Sequence, residues 1–209
     1  MLKIENICRK LSDYIAHELN LDEDKKAVIN YGIFAFTQIM LCILLVIIFG
    51  LIFNVMIEAL IISFASSILR KSSGGVHSNS AEKCAVIGTV TTIIMALVAK
   101  RINLPVSFNL LIGFMIYIYS YYTIYKLAPV DSVSKPIKNV MKRKKLRKIS
   151  IITISIYLVI TLINILLYLL TEKNLFLQYC ICLYMGMAWQ VFSLTKAGHL
   201  ILGKIDNLF

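Results

Sequence analysis

The sequence predicts an all-α integral membrane protein with about six transmembrane helices and an amphipathic interfacial helix at the N-terminus. Three observations predict this class. The 209-residue chain is 59% hydrophobic with a mean hydropathy of +0.80, which argues against a soluble domain. Its apolar runs approach the roughly 20 residues that a helix needs to cross a bilayer. A strongly basic segment separates two of these runs, as is typical of a cytoplasmic connection.

Residues 1–21 predict an amphipathic helix that lies in the membrane interface. Apolar side chains recur there at three- and four-residue spacing, with charged side chains on the opposite face. Asp22, Glu23 and Asp24 then bring acidic groups into the first turn of the next helix, where the helix dipole favours them. No cleavable signal peptide is apparent, so we expect the first span to drive insertion.

Six apolar segments are expected to span the bilayer within a single membrane domain, residues 1–209. Residues 31–69 are long enough for two spans, with a turn between Gly50 and Glu58. The other four are predicted at 84–99, 108–128, 149–170 and 175–194. Spans 1–4 therefore lie in 31–128, a basic loop in 129–148, and spans 5 and 6 with a C-terminal tail in 149–209.

The excess of basic residues is concentrated in the predicted loop. Lys and Arg number 22 against 11 acidic residues, and eight of them lie within residues 135–148, which contain no acidic residue. Since this loop joins the fourth and fifth spans, the positive-inside rule places it in the cytoplasm. Both termini and the connection after the second span then lie on that side. We expect the loop to contact anionic lipid or an acidic peptide rather than nucleic acid.

The five cysteines do not predict a disulfide framework. Their number is odd, most lie in or beside predicted spans, and the inferred cytoplasmic side is reducing. The three histidines are far apart in sequence and give no zinc-ligand spacing. We expect no metal and no cofactor.

The polar break at residues 70–84 contains the candidate catalytic pair. Gly74 and Gly75 end the second span, and His77 and Cys84 follow. Cys84 would lie near a helix N-terminus, where the dipole favours a thiolate, and histidine is a common base for such a nucleophile. On a straight helix the two would be about 10 Å apart at 1.5 Å per residue. Proton transfer needs roughly 2.6–3.2 Å, so the connection must fold His77 back over the helix.

These residues alone leave other interpretations open. A cysteine in a membrane helix is commonly a packing residue, and a histidine in a loop is commonly just solvated. On that basis the chain could be a non-enzymatic peptide exporter, channel subunit or scaffold. The few ionisable residues in the spans disfavour a transport pathway. A lipid-modifying enzyme is a second alternative, but the chain lacks an acidic cluster for a metal.

Two ordered motifs resemble the accessory gene regulator B family (AgrB). The first, at residues 70–84, is Arg-x-x-x-Gly-Gly-x-His with a cysteine seven residues after the histidine. The second, at residues 127–137, is Leu-Ala-Pro-Val-Asp followed by Lys-Pro-Ile and the basic run. Members of this family are membrane cysteine endopeptidases of Gram-positive bacteria. The resemblance covers essentially the whole chain and implies a location in the bacterial cell membrane.

The resemblance also implies roles and partners. Cys84 would be the nucleophile and His77 its base, and the substrate would be a membrane-associated AgrD-like pro-peptide. Cleavage would release an acidic tail and leave an acyl-enzyme thioester. A Cys or Ser within the peptide would then close a thiolactone or lactone ring, giving a quorum-sensing signal. The family likeness further suggests a homodimer.

Charge complementarity adds candidate substrate-binding residues. Basic side chains on the cytoplasmic face would hold the acidic tail. Backbone N–H groups near Gly75, or at the helix start before Cys84, would bind the developing oxyanion. The candidates are Arg70, Lys71, Gly74, Gly75, Lys142, Arg143, Lys144 and Lys145. Trp189 and Gln190 are expected only to pack or to lie at the membrane interface.

Overall fold

The computed structural model describes residues 3–75, 81–131, 137 and 139–208. Over these ranges the chain is almost entirely helical, which confirms the all-α prediction. The helices are α1 (Lys3–Glu18), α2 (Glu23–Ile52), α3 (Met56–Ser73), α4 (Ala81–Arg101), α5 (Val106–Leu127), α6 (Val140–Thr171), α7 (Asn174–Phe192) and α8 (Lys196–Leu208).

Five helices in the described part of the chain are long and apolar enough to cross a membrane, namely α2, α4, α5, α6 and α7. Helix α3 occupies the position of the predicted second span. It has 18 residues and carries Glu58 in its first turn with Arg70 and Lys71 in its last, so its hydropathy is lower. The architecture is that of a multi-pass membrane protein, and the crossing by α3 stays a prediction.

Residues 1–45 form one compact unit, made of α1 and most of α2. Helix α1 is amphipathic as predicted, and an ion pair of 2.9 Å joins Lys26 Nζ of α2 to Asp13. Its buried side chains are small, namely Cys8, Ser12 and Ala16. A second row of larger apolar side chains stays exposed, including Ile7, Leu11 and Tyr14. Such a row suits the headgroup region of a bilayer.

Residues 46–209 form the second compact unit, in which α7 is central. Helix α7 packs against α3, α4, α5 and α6, and it is the most buried of the five apolar helices. Gly186 of α7 lies directly against α3, where an added Cβ would be 2.6 Å from the Ile62 carbonyl oxygen. A small residue at a membrane helix interface lets two backbones approach in this way.

Polar side chains join the helices of this unit through buried hydrogen bonds. The Tyr157 hydroxyl of α6 donates to the Ala65 carbonyl of α3 at 2.8 Å. Nearer the end of α3, the Ser150 hydroxyl of α6 lies 2.9 Å from the Ser72 hydroxyl. Because lipid offers no competing water, such hydrogen bonds help to fix which helices pair. Helix α6 is therefore held along α3 as far as the residues that precede the glycine pair.

The basic segment was predicted to be a loop, but the structure places residues 140–148 in α6. The Asn139 side chain begins this helix by accepting hydrogen bonds from the Met141 and Lys142 backbone N–H groups. Lys and Arg are good helix formers, so the basic run extends the helix of the fifth predicted span. The predicted C-terminal tail likewise contains a helix, α8.

Several chain segments meet at one end of the helices of this unit. The end of α3, residues 128–131 after α5, the first turns of α6 and the end of α7 are joined there by hydrogen bonds. We call this region the Gly74 end. All candidate binding residues of the second unit lie in these segments or beside them.

Candidate active site

The end of α3 has a backbone conformation that glycine adopts readily. Gly74 caps the helix, and its N–H donates to the Arg70 carbonyl at 3.0 Å. Its φ is +72°, and that of Gly75 is +129°. Residues with a Cβ rarely adopt such angles. The predicted helix stop at the glycine pair is therefore present, and two successive positive-φ residues turn the chain away from the α3 axis.

Gly74 lies against the backbone that follows α5. Gly74 and Val130 form an isolated parallel bridge, and the Val130 N–H donates to the Ser73 carbonyl at 2.9 Å. A Cβ added to Gly74 would collide with the Val130 carbonyl oxygen. The first AgrB-like motif is thus paired, backbone to backbone, with the second. No spacing rule in the sequence indicates this pairing across more than fifty residues.

A buried glutamine of α7 holds the same turn from another side. The Gln190 side chain is 1% exposed, and its Nε2 donates to the Gly74 carbonyl at 2.7 Å and to the Ser73 hydroxyl at 3.0 Å. The Ser193 hydroxyl, from the following turn, lies 2.7 Å from where a Cβ of Gly75 would be. Sequence reasoning assigned Gln190 no functional role. A polar residue in an apolar helix was the only signal available.

Cys84 lies where the sequence predicted it, in the first turn of a helix. Helix α4 begins at Ala81, so Cys84 is its fourth residue. The thiol is free, and the residue is partly buried. The N–H groups of the first turn of a helix have no partner within the helix and give that end a partial positive charge. His77 lies outside the described residues, so its distance from Cys84 stays a prediction.

Arg70 is close enough to Cys84 for the two to interact electrostatically. It lies in the last turn of α3 and is partly buried, whereas Lys71 beside it is exposed. Burial lowers the pKa of the Arg70 guanidinium, and the Coulombic interaction with Cys84 opposes that shift. Arginine stays charged despite such a shift. The structure thus brings one predicted binding residue near the predicted nucleophile.

The basic segment contains two kinds of residue. Its arginines form hydrogen bonds with residues 128–131, and its described lysines are exposed. Arg143 Nη1 pairs with Asp131 Oδ2 at 2.9 Å, and its Nη2 donates to the Pro129 carbonyl at 3.2 Å. Arg147 Nε donates to the Ala128 carbonyl at 2.8 Å. The exposed lysines of the same turns are Lys142, Lys144, Lys145 and Lys148. The two arginines therefore fasten the segment that pairs with Gly74.

Asp131 is the acidic partner in this arrangement. Its Oδ2 also accepts a hydrogen bond of 3.3 Å from the Ile137 N–H. In the described part of the chain its Oδ1 is buried without a partner. The ion pair with Arg143 is partly exposed, so its contribution to stability is modest. Among the described residues there is also no group of three metal-ligating side chains.

Comparison with known proteins identifies the family of this chain. The sequence model of the family described as "Accessory gene regulator B" matches residues 8–194. The chain belongs to the AgrB family. This match spans the two paired motifs, Gln190 and Cys84. Membership implies involvement in the agr quorum-sensing system and an AgrD-like pro-peptide as partner. The family is known in general as peptidase-like.

Relatives from Clostridium perfringens support the family membership over almost the whole length. The chain is 38% identical over 207 residues to "Putative AgrB-like protein" of strain SM101 / Type A, covering 98% of this chain and 97% of the relative. It is equally similar to "Putative AgrB-like protein 2" of strain 13 / Type A. Against "Putative AgrB-like protein 1" of strain 13 it is 30% identical over 154 residues, 72% of this chain and 79% of the relative. No solved structure matches the chain.

Proposed function

We propose that this AgrB-family protein is a membrane-embedded cysteine endopeptidase that removes the C-terminal tail of an AgrD-like pro-peptide and promotes its cyclisation. The observation that supports this most directly is the position of Cys84. It is a free thiol in the first turn of α4, within electrostatic range of Arg70 and close in sequence to a tightly held glycine turn. A free thiol in such a position is a candidate nucleophile.

In the first step His77 takes the thiol proton of Cys84, and the sulfur attacks the carbonyl carbon at the end of the future signal peptide. The C–N bond breaks, and His77 gives the proton to the departing amine of the tail. Sulfur and acyl carbon are then joined as a thioester. The step needs no oxidant, metal or other co-reactant.

In the second step a Cys or Ser inside the peptide attacks the thioester. The ring closes as a thiolactone or lactone, and the Cys84 sulfur regains a proton. Exchange of one thioester for another is nearly balanced in free energy, whereas attack by water would waste the intermediate. We expect the site to exclude water, for which a position at the edge of the bilayer is suited.

The outward-facing lysines of α6 are proposed to hold the acidic tail. Lys142, Lys144 and Lys145 are exposed beside the Gly74 end and can meet a flexible acidic segment. Arg70 and Lys71 extend the same basic surface from the end of α3. Arg143 was expected among these binding residues, but its bonds to Asp131 and Pro129 favour a structural role. Gly74 and Gly75 would contribute by the shape of the turn.

The Gly74 end is proposed to face the cytoplasm, together with both termini. Its basic side chains support this orientation through the positive-inside rule. Cysteine labelling tests it directly. In a background in which the five native cysteines are replaced by alanine, a Lys144→Cys variant should react with an impermeant maleimide only in inverted vesicles, and an Asn54→Cys variant at the opposite end only in right-side-out vesicles. The reverse pattern would contradict the orientation.

Tail release in liposomes tests the proposed function. Purified protein and a synthetic AgrD-like pro-peptide are reconstituted together, and the released tail is measured by chromatography. We expect Cys84→Ala and His77→Ala each to abolish release while membrane levels stay normal. Cys42→Ala and His199→Ala are matched controls from other helices and should retain release. Normal processing by either of the first two variants would refute the mechanism, and an unprocessed precursor throughout would favour an exporter or scaffold.

A further inference from the structure

The Gln190 amide has an orientation that its partners dictate. The Gly74 carbonyl can only accept a hydrogen bond, so the group 2.7 Å from it must be the NH2 end. The Ser73 hydroxyl donates to the Leu69 carbonyl at 2.9 Å and therefore accepts from the same nitrogen at 3.0 Å. Both donors of one amide are thus used on the last turn of α3 and its cap.

The oxygen of the amide has no hydrogen-bond partner among the described residues. Within the described residues Gln190 Oε1 is buried and accepts no hydrogen bond. A buried carbonyl oxygen without a donor is unfavourable, and more so in an apolar helix bundle. An apolar residue of similar size would avoid this penalty. The two contacts with the α3 terminus therefore account for a glutamine at this position.

These contacts act on the backbone that leads to the proposed base. Val130 lies against Gly74 on one side. On the other, Gln190 Nε2 and Ser193 Oγ lie 3.4 and 2.7 Å from the point that a Cβ of Gly75 would occupy. Only one residue separates Gly75 from His77 in sequence. A rotation of the Gly74 peptide plane would redirect the chain at that point. The amide holds that plane by its carbonyl oxygen.

We propose that Gln190 is a positioning residue for the peptidase reaction, because it fixes the Gly74 peptide plane in the turn that precedes His77 in the sequence. This inference rests on the proposed function. It assigns to α7 a part in catalysis without contact with the substrate. A residue that acted only in folding would change the amount of folded protein but not the reactivity of Cys84.

The test replaces Gln190 with glutamate, which has nearly the same shape. Gln190→Glu removes the NH2 group, so the ionised side chain no longer donates to the Gly74 carbonyl and the Gly74 peptide loses the hydrogen bond that fixes it. We expect kcat for tail release to fall roughly 100-fold, because small displacements of catalytic groups reduce the rate by about this factor. KM should change less than about twofold. Gln178→Ala is the matched control on the same helix. It removes an amide that binds Glu58 and should leave kcat unchanged.

A second readout follows Cys84 without any pro-peptide. The rate of alkylation by iodoacetamide is measured for the wild type, His77→Ala, Gln190→Glu and Gln178→Ala. We expect Gln190→Glu to react as slowly as His77→Ala, and Gln178→Ala to react like the wild type. Wild-type alkylation and wild-type kcat in Gln190→Glu would overturn the proposal.

Two further outcomes are distinguishable. If Gln190→Glu does not accumulate as folded protein, Gln190→Met removes both donors without adding charge and goes through the same two assays. Failure of that variant to fold as well would show that the amide is structural, which also overturns the proposal. If the wild type releases no tail, or alkylates no faster than His77→Ala, the proposed function itself fails, whatever the Gln190 variants do.

Discussion

At each end of the α3–α7 pair a glutamine of α7 forms a hydrogen bond with α3 or its cap, but the two glutamines bind different types of acceptor. At the far end, Gln178 Nε2 donates to the Glu58 carboxylate at 3.0 Å, a bond between two side chains that can both rotate. At the Gly74 end, Gln190 binds a backbone carbonyl, and a second backbone segment pairs with the same turn. The Gln178 contact joins two helices, whereas the Gln190 contact fixes the orientation of the Gly74 peptide plane.

This difference indicates where the fold requires precision. Side-chain contacts such as Gln178 with Glu58 tolerate small shifts of a helix. The contacts of Gly74 do not, because an atom added there would collide with the Val130 backbone. A catalytic pair separated by seven residues needs its connecting turn held to within a fraction of an ångström. Changes at the Gly74 end should therefore impair activity far more than changes at the Glu58 end.

Gly74→Ala should have the largest effect. A side chain at φ of +72° costs about 1–3 kcal/mol in backbone strain alone, and the contact with Val130 adds to it. We expect loss of tail release and a lower unfolding temperature in detergent. Gly88→Ala in α4 is the matched control, because nothing lies within 4 Å of its Cβ position. A Gly74→Ala protein with normal stability and turnover would contradict the expected difference between the two ends.

Arg143→Ala should have the next largest effect. It removes the ion pair with Asp131 and the hydrogen bond to the Pro129 carbonyl, and so loosens the segment that pairs with Gly74. Both charged groups are partly exposed, so we expect about 1 kcal/mol of lost stability, with a drop in kcat. Thermal unfolding and tail release measure the two effects. Equal behaviour of Arg143→Ala and the control Lys144→Ala in thermal unfolding would contradict the distinction between docked arginines and outward lysines.

The double variant Lys144→Gln, Lys145→Gln should change substrate binding only. Each exposed charge contributes at most about 1 kcal/mol, so KM for a pro-peptide with an acidic tail should rise roughly fivefold. Raising the salt concentration should shrink the difference, because exposed charges are screened. The rate of Cys84 alkylation should not change. An unchanged KM at low salt would remove the lysines from the proposed tail site.

Glu58→Gln should have the smallest effect. The new amide oxygen can still accept from Gln178, and the change lies at the end away from the proposed chemistry. We expect kcat within about twofold of the wild type, measured as tail release. A loss comparable to that of Gly74→Ala would show that both ends of the pair serve the reaction.

Local sequence signals predicted much of this molecule. Apolar length predicted the helices, the glycine pair predicted the end of α3, and polar residues before Cys84 predicted a helix start close to it. The basic run was harder to interpret. Its charge suggested a loop, although lysine and arginine favour helix once Asn139 has capped the first turn.

Contacts between distant segments could not be predicted in this way. Nothing near Ser73 indicates that it pairs with Val130, and nothing near Gly74 indicates Gln190, 116 residues away. A glutamine in an apolar helix has several ordinary explanations, and only the fold shows which carbonyl it binds. Likewise, the division between Arg143 and its lysine neighbours depends on which face of α6 meets residues 128–131.

Intact-mass spectrometry of the reconstituted protein tests the central claim most directly. Wild type and Cys84→Ala are each mixed with the pro-peptide in liposomes and analysed after a single turnover. The account predicts a released tail and a hydroxylamine-labile acyl adduct on the wild type, and neither on Cys84→Ala. An intact precursor with both folded proteins, or an adduct that persists in Cys84→Ala, would contradict it.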